Sequence, residues 1–156
     1  RLMLVDVTPG TDREKAEPII AFIDGPESFD NFDEILARTM EYNPTRSESS
    51  LRRGILHNAH ETSDGTWTWR YDRTWGGEGA DVRNAEGLAP LWSDVDGLTV
   101  PTMLVRGALS GGVGDEDVVE MKRRNPDTRV EVVDDAGHSV QGDKPLELAL
   151  LIEDFL

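Results

Sequence analysis

Residues 128–156 read TRVEVVDDAGHSVQGDKPLELALLIEDFL. An apolar run rich in β-branched residues comes first, and it reads as a buried strand. Asp134, Asp135 and Gly137 are turn formers. His138 follows at once. Pro145 then opens a helix that carries Leu146, Leu148, Leu150, Leu151, Ile152, Phe155 and Leu156. The question is why one histidine stands between a strand and a helix. Turn chemistry is the plain answer and catalysis the specific one.

Working outward, VPTMLVRG (100–107) is a second buried strand and DEDVVEMKRRNP (115–126) a helix. Its acids occupy the first turn, and Lys122, Arg123 and Arg124 the last, as the helix dipole favours. Strand, helix, strand, helix argues for a parallel sheet. LMLVDV (2–7), closed by Pro9-Gly10, supplies a third strand. The fold class is therefore α/β, with a few-stranded parallel sheet interrupted by a long insert.

The insert reads as largely helical. Thr11, with Glu14 three residues on, suits the start of one helix, and Pro18 threatens to kink or split it. A second helix is expected over 29–42, with Phe32, Ile35, Leu36, Thr39 and Met40 on one face. A third starts near Ser47 and ends near His57 and His60. DGTWTWRYD (64–72) alternates, with Trp67, Trp69 and Tyr71 on one parity. TWGGEGAD (74–81) reads as a flexible loop and lacks the ending of a phosphate loop. Residues 84–95 read as a short helix.

The bulk composition narrows the possibilities. The 156 residues carry a net charge of -15 and no cysteine. A surface so acidic repels nucleic acid and anionic membranes. No apolar run approaches the length of a membrane span. A cysteine-free chain has no disulfide framework and suits a cytoplasmic location. The chain opens on a strand, without an initiator methionine, and is expected to be part of something longer.

Taken together, PTMLVRGALS (101–110), the 130–156 stretch and LMLVDVTPG (2–10) resemble the C-terminal half of the α/β-hydrolase superfamily. The resemblance covers nearly the whole chain. It implies a core strand over residues 1–10, a helical cap over 11–95, and the last two core strands with their helices over 96–156. By the same resemblance His138 is the general base, taking a proton from a nucleophile and later activating water. The family's usual acid position, just past the penultimate strand, reads LSGGVGDED here, with Gly111 after Ser110. Asp6, on the strand before the cap, is the preferred acid, a placement found among haloalkane dehalogenases. Asp115 is the alternative.

The nucleophile elbow G-x-S-x-G does not occur in the chain. Ser110 is preceded two residues earlier by Ala108, and Ser139 adjoins the histidine too closely to serve. The resemblance thus implies a hydrolase of a small ester or related carbonyl substrate, without cofactor, whose nucleophile lies outside these residues. An aspartate nucleophile would shift the chemistry to epoxide or haloalkane hydrolysis. A catalytically inactive module acting by binding is the alternative from another class. Trp67, Trp69 and Tyr71 are candidates for the substrate pocket. The exposed half-sheet needs the rest of the fold or a partner to cover it. No metal site is expected: His57, His60 and Glu61 form the one candidate cluster, and it is a poor one.

Overall fold

The computed structural model describes residues 1–11, 13–71 and 85–156. They form two compact units, one of Arg1–Ala16 with Asn84–Leu156 and one of Glu17–Arg83.

The first unit is built on a three-stranded parallel sheet. Strands β1 (Leu2–Val5), β5 (Thr102–Gly107) and β6 (Arg129–Val133) lie in the order β1-β5-β6. Leu2 pairs with Thr102 and Val5 with Val105, and Met103 pairs with Arg129. Central β5 is buried along nearly its whole length. Its alternating side chains go to opposite faces, as a pleated strand requires. Met103 and Val105 join Val133, Ala136, Val140 and Leu148, with Met3, Val5, Leu151 and Phe155 packed around them. That face is covered by α6 (Val140–Asp143) and α7 (Pro145–Phe155).

On the opposite face Leu104 meets Val95, Val113 and Met121, flanked by Leu4, Trp92, Leu98, Val118 and Val130. These belong to α4 (Trp92–Asp96) and α5 (Asp115–Arg124), among others. Both faces of β5 are thus covered, which is why that strand reads as a continuous apolar run, whereas β1 is half-buried and Val132 on β6 is exposed. The expected parallel sheet of three strands is present. The short helix expected over 84–95 is a 3-10 helix over Ala85–Leu91 followed by α4. Residues 85–95, expected in the insert, fall in the unit that holds the parallel sheet.

The second unit differs from an all-helical insert. Helices α2 (Phe32–Tyr42) and α3 (Glu48–Asn58) are joined by an antiparallel sheet in the order β2-β4-β3, formed by Ser28–Phe29, Trp67–Trp69 and Ala59–Glu61. The second helix therefore starts at Phe32 rather than residue 29. Asn31 caps it by accepting the Glu34 N–H, and Ser47 caps α3 in the same way. Ile35, Leu36, Leu51, Ile55, Phe29 and Ala59 form the core of this unit, with Phe32, Trp67 and Trp69 against it. Helix α1 (Arg13–Ile23) runs unbroken through Pro18, so the expected split does not occur. The TWGGEGAD stretch lies outside the described residues.

One glycine shows how closely the sheet's upper end is packed. A Cβ on Gly107 would stand 2.3 Å from the Gly137 carbonyl oxygen and 2.4 Å from that of Ala136. Both obstacles are backbone and cannot swing away. Gly107→Ala is expected to destabilise the chain by at least the ~1–3 kcal/mol typical of overpacking. A urea denaturation midpoint unchanged by the substitution would contradict this packing.

Candidate active site

The three strands of the parallel sheet end side by side, and the loops that leave them meet. After β1 the backbone turns sharply: Asp6 has φ of 52°, a left-handed conformation that aspartate tolerates better than most residues. Its N–H donates to the Val105 carbonyl at 2.7 Å, so it still belongs to the sheet. The turn directs its carboxylate across the end of β5. There Oδ1 accepts the Gly107 N–H at 3.0 Å. Oδ2 accepts the Ser110 hydroxyl at 2.5 Å and faces His138 Nδ1 at 2.8 Å. Asp6 is only 1% exposed. A buried carboxylate is costly unless its lone pairs are met, and here several donors meet them.

His138 is held from two sides. The loop after β6 bonds to the loop after β5 through Ala108 N–H to Val133 O and Leu109 N–H to Ala136 O, both at 2.9 Å. On the other side Asp143, at the end of α6, accepts the Gly137 N–H at 2.8 Å. The imidazole is thereby pinned with Nδ1 toward Asp6. Because the carboxylate is an acceptor, Nδ1 carries the proton, which leaves the Nε2 lone pair available in the neutral ring. No hydrogen bond to Nε2 is found among the described residues, and the side chain is 49% exposed. The Asp6 hydrogen bond, with its charge in support, raises the imidazole above its ordinary 6.5, against a smaller opposing effect of burial.

The alternative acid stands elsewhere. Asp115 is the first residue of α5, 91% exposed, and pairs with Arg106 Nη2 at 2.6 Å. Arg106 also donates to the Val113 carbonyl at 3.2 Å. Asp115 thus helps fasten the 107–114 loop, and the structure does not bring it to His138. Ser110 sits on the acid, not on the free side of the imidazole. Its contact with Asp6, 104 residues away in sequence, has no signal in the sequence.

Below the acid, the segment after β1 is fastened to α5. Asp117, 3% exposed, accepts the Thr8 hydroxyl at 3.1 Å, Lys15 Nζ at 2.6 Å and the Gly114 N–H at 2.8 Å. This network anchors both chain segments that flank the Asp6–Ser110 contact.

The aromatic candidates separate. In the Glu17–Arg83 unit, Trp69 and Tyr71 line a cavity of about 230 Å³ together with Phe22, Arg46, Leu51 and Ile55. Trp67 is not in its wall and packs edge-on against Phe32, with ring centroids 5.0 Å apart. His57 and His60 do not share a helix, since α3 ends at Asn58 and His60 lies on β3. No group of three His, Asp or Glu side chains placed to hold a metal is found among the described residues. None of the described helices is long and apolar enough to cross a membrane.

With this geometry in place, comparison with known proteins is informative. No protein-family model matches the chain. It is 39% identical over 162 aligned positions to the esterase Rv0045c of Mycobacterium tuberculosis, covering 99% of this chain and 52% of that protein. A solved structure of that esterase superposes with a TM-score of 0.75, covering 99% of this chain and 53% of the other. The hydrolase of E-2-(acetamidomethylene)succinate superposes with a TM-score of 0.80 at 23% identity over 98% of this chain and 56% of its own. An α/β hydrolase of Novosphingobium aromaticivorans gives 0.72 at 20% identity, over 98% and 55% respectively. The last two likenesses concern the fold alone. The chain spans about half the length of the relatives it matches.

The His138–Asp6 contact makes a prediction that needs no substrate. A histidine whose folded value is raised contributes stability that is fully present below its unfolded value near 6.5. That contribution is lost as pH rises through the folded value. In Asp6→Asn the His138 NMR titration midpoint is expected to fall, and this share of stability below pH 6.5 to disappear. An unchanged midpoint would show that the pair is not formed in solution.

Proposed function

From the premise that this chain carries part of an α/β-hydrolase fold, we propose that it works in the hydrolysis of a small ester or related carbonyl compound. His138 is the general base and Asp6 the acid that orients it. The observation that carries this reading is the 2.8 Å contact between Asp6 Oδ2 and His138 Nδ1, which leaves Nε2 as the one basic nitrogen. The likeness to an esterase at 39% identity supports an ester as the substrate.

The chemistry follows from that tautomer. Nε2 takes the proton of a nucleophile as it attacks the substrate carbonyl, and the ring becomes an imidazolium. Asp6 stabilises that charge without accepting the proton. The imidazolium then gives the proton to the leaving alcohol. In the second half Nε2 deprotonates a water, which releases the acid product. The nucleophile comes from outside these residues: Ser110 is spent on Asp6, and the chain spans about half of its relatives. A cytoplasmic setting belongs to the same reading.

The test is turnover of p-nitrophenyl acetate and butyrate. The 156-residue chain and its His138→Ala variant should give the same background rate. When the chain is part of a protein that also holds a G-x-S-x-G elbow, Asp6→Asn should lower kcat by about 10⁴-fold, and His138→Ala by at least about 10³-fold. Asp115→Asn should leave kcat within about twofold, because that residue is an exposed partner of Arg106. Strong loss with Asp115→Asn and none with Asp6→Asn would reverse the assignment. Turnover of an epoxide or haloalkane in place of the esters would move the nucleophile to aspartate.

A further inference from the structure

The loop after β5 holds a serine that the proposed mechanism leaves unused, and its bonding is specific. Ser110 Oγ accepts the Gly112 N–H at 2.9 Å. The same oxygen lies 2.5 Å from Asp6 Oδ2. A carboxylate oxygen accepts, so the single hydroxyl hydrogen of Ser110 is directed to Asp6. Oδ2 is also the oxygen that faces His138 Nδ1. Two donors therefore share one oxygen, while Oδ1 is held by the Gly107 backbone.

Gly112 completes the enclosure. A Cβ there would stand 3.2 Å from His138 Nδ1, 3.4 Å from Asp6 Oδ2 and 3.5 Å from Ser110 Oγ. The loop backbone thus lies directly against the shared oxygen. Arg106 fastens the far end of this loop through the Val113 carbonyl and Asp115.

We propose that Ser110 is a positioning residue: its hydroxyl, oriented by the Gly112 N–H, holds the Asp6 carboxylate and moderates the pull of Oδ2 on His138. This rests on the assignment of Asp6 and His138 above. Among the described residues Ser110 Oγ bonds to Asp6 and Gly112 and not to Nε2. It acts through Asp6 alone, in two ways. It limits rotation of the carboxylate about its last bond. It also draws charge from Oδ2, which weakens that oxygen's hold on an imidazolium. A base that is too readily protonated is lost to catalysis at neutral pH, so this moderation keeps Nε2 free.

The other charged groups near the histidine turn are few. Asp143 on α6 is engaged with the Gly137 N–H. Lys144 and Asp135 pair with each other at 3.4 Å. Arg106 and Asp115 pair at the far end of the 107–114 loop. The ring's titration is set by Asp6 and by burial, with none of these groups contributing.

The test is an NMR pH titration of the chain's three histidines, with His138→Ala identifying the His138 signal. Ser110→Ala should raise the His138 midpoint by roughly half a pH unit. Ser110→Thr, which keeps the hydroxyl, should restore the original midpoint. In an Asp6→Asn background Ser110→Ala should have no effect. If Ser110→Ala does not fold, Ser110→Cys, a weaker donor, should shift the midpoint in the same direction by less. A midpoint that stays or falls in Ser110→Ala overturns the proposal, as does a shift that persists without Asp6. These outcomes are read without turnover. Absence of ester turnover in a protein that joins this chain to a G-x-S-x-G elbow, while the shifts appear in the chain itself, refutes the hydrolase reading and leaves the role of Ser110 toward Asp6 intact.

Discussion

A carboxylate that is 1% exposed sets the terms for everything at the upper end of the parallel sheet. Burying such a group without donors costs far more than a domain's marginal stability allows. The structure answers with a backbone N–H from Gly107, a hydroxyl from Ser110 and an imidazole from His138. Gly107 is the last residue of β5, and Ser110 and His138 stand in the loops that leave β5 and β6. The Asp6 side chain thus ties the ends of all three strands together. Its left-handed backbone, with φ of 52°, is the local concession that lets the side chain point there.

That arrangement is possible because the sheet beneath it is rigid. Side chains of β5 enter two cores on opposite faces, Met103 and Val105 on one and Leu104 on the other. The register between β1, β5 and β6 therefore cannot slip by one residue without turning both cores inside out. The loops above inherit that precision. Gly107 can approach the Ala136 and Gly137 carbonyls only because it has no Cβ. The Asp117 network holds the segment after Asp6 against α5 from below.

The insert declares less of its structure locally. Its two central helices carry signals in Ser47 and in apolar residues at helical spacing, while the Asn31 cap is passed over by an expected start at residue 29. Its small sheet does not. β2 has two residues and β3 has three, too few for an alternating pattern to declare itself. They are strands because β4 lies between them and supplies the hydrogen bonds, a fact about partners distant in sequence. His60 left the expected helix for the same reason. Trp67 and Trp69, alike by parity, diverge because packing decides which aromatic ring is covered and which lines a cavity.

The parallel strands, the order of helices between them and the histidine turn after β6 are legible in the local sequence. Those features rest on local apolar runs, turn formers and helix-end charges, which act over a few residues. It also carried both members of the candidate pair, since Asp6 and His138 stand at strand ends. What it left open was the choice between Asp6 and Asp115, and the part played by Ser110. Where those side chains lie is a matter of long-range folding, because Asp6 and His138 are 132 residues apart. Their meeting depends on strand order, register and the left-handed turn at Asp6, and none of these is encoded by a residue's immediate neighbours.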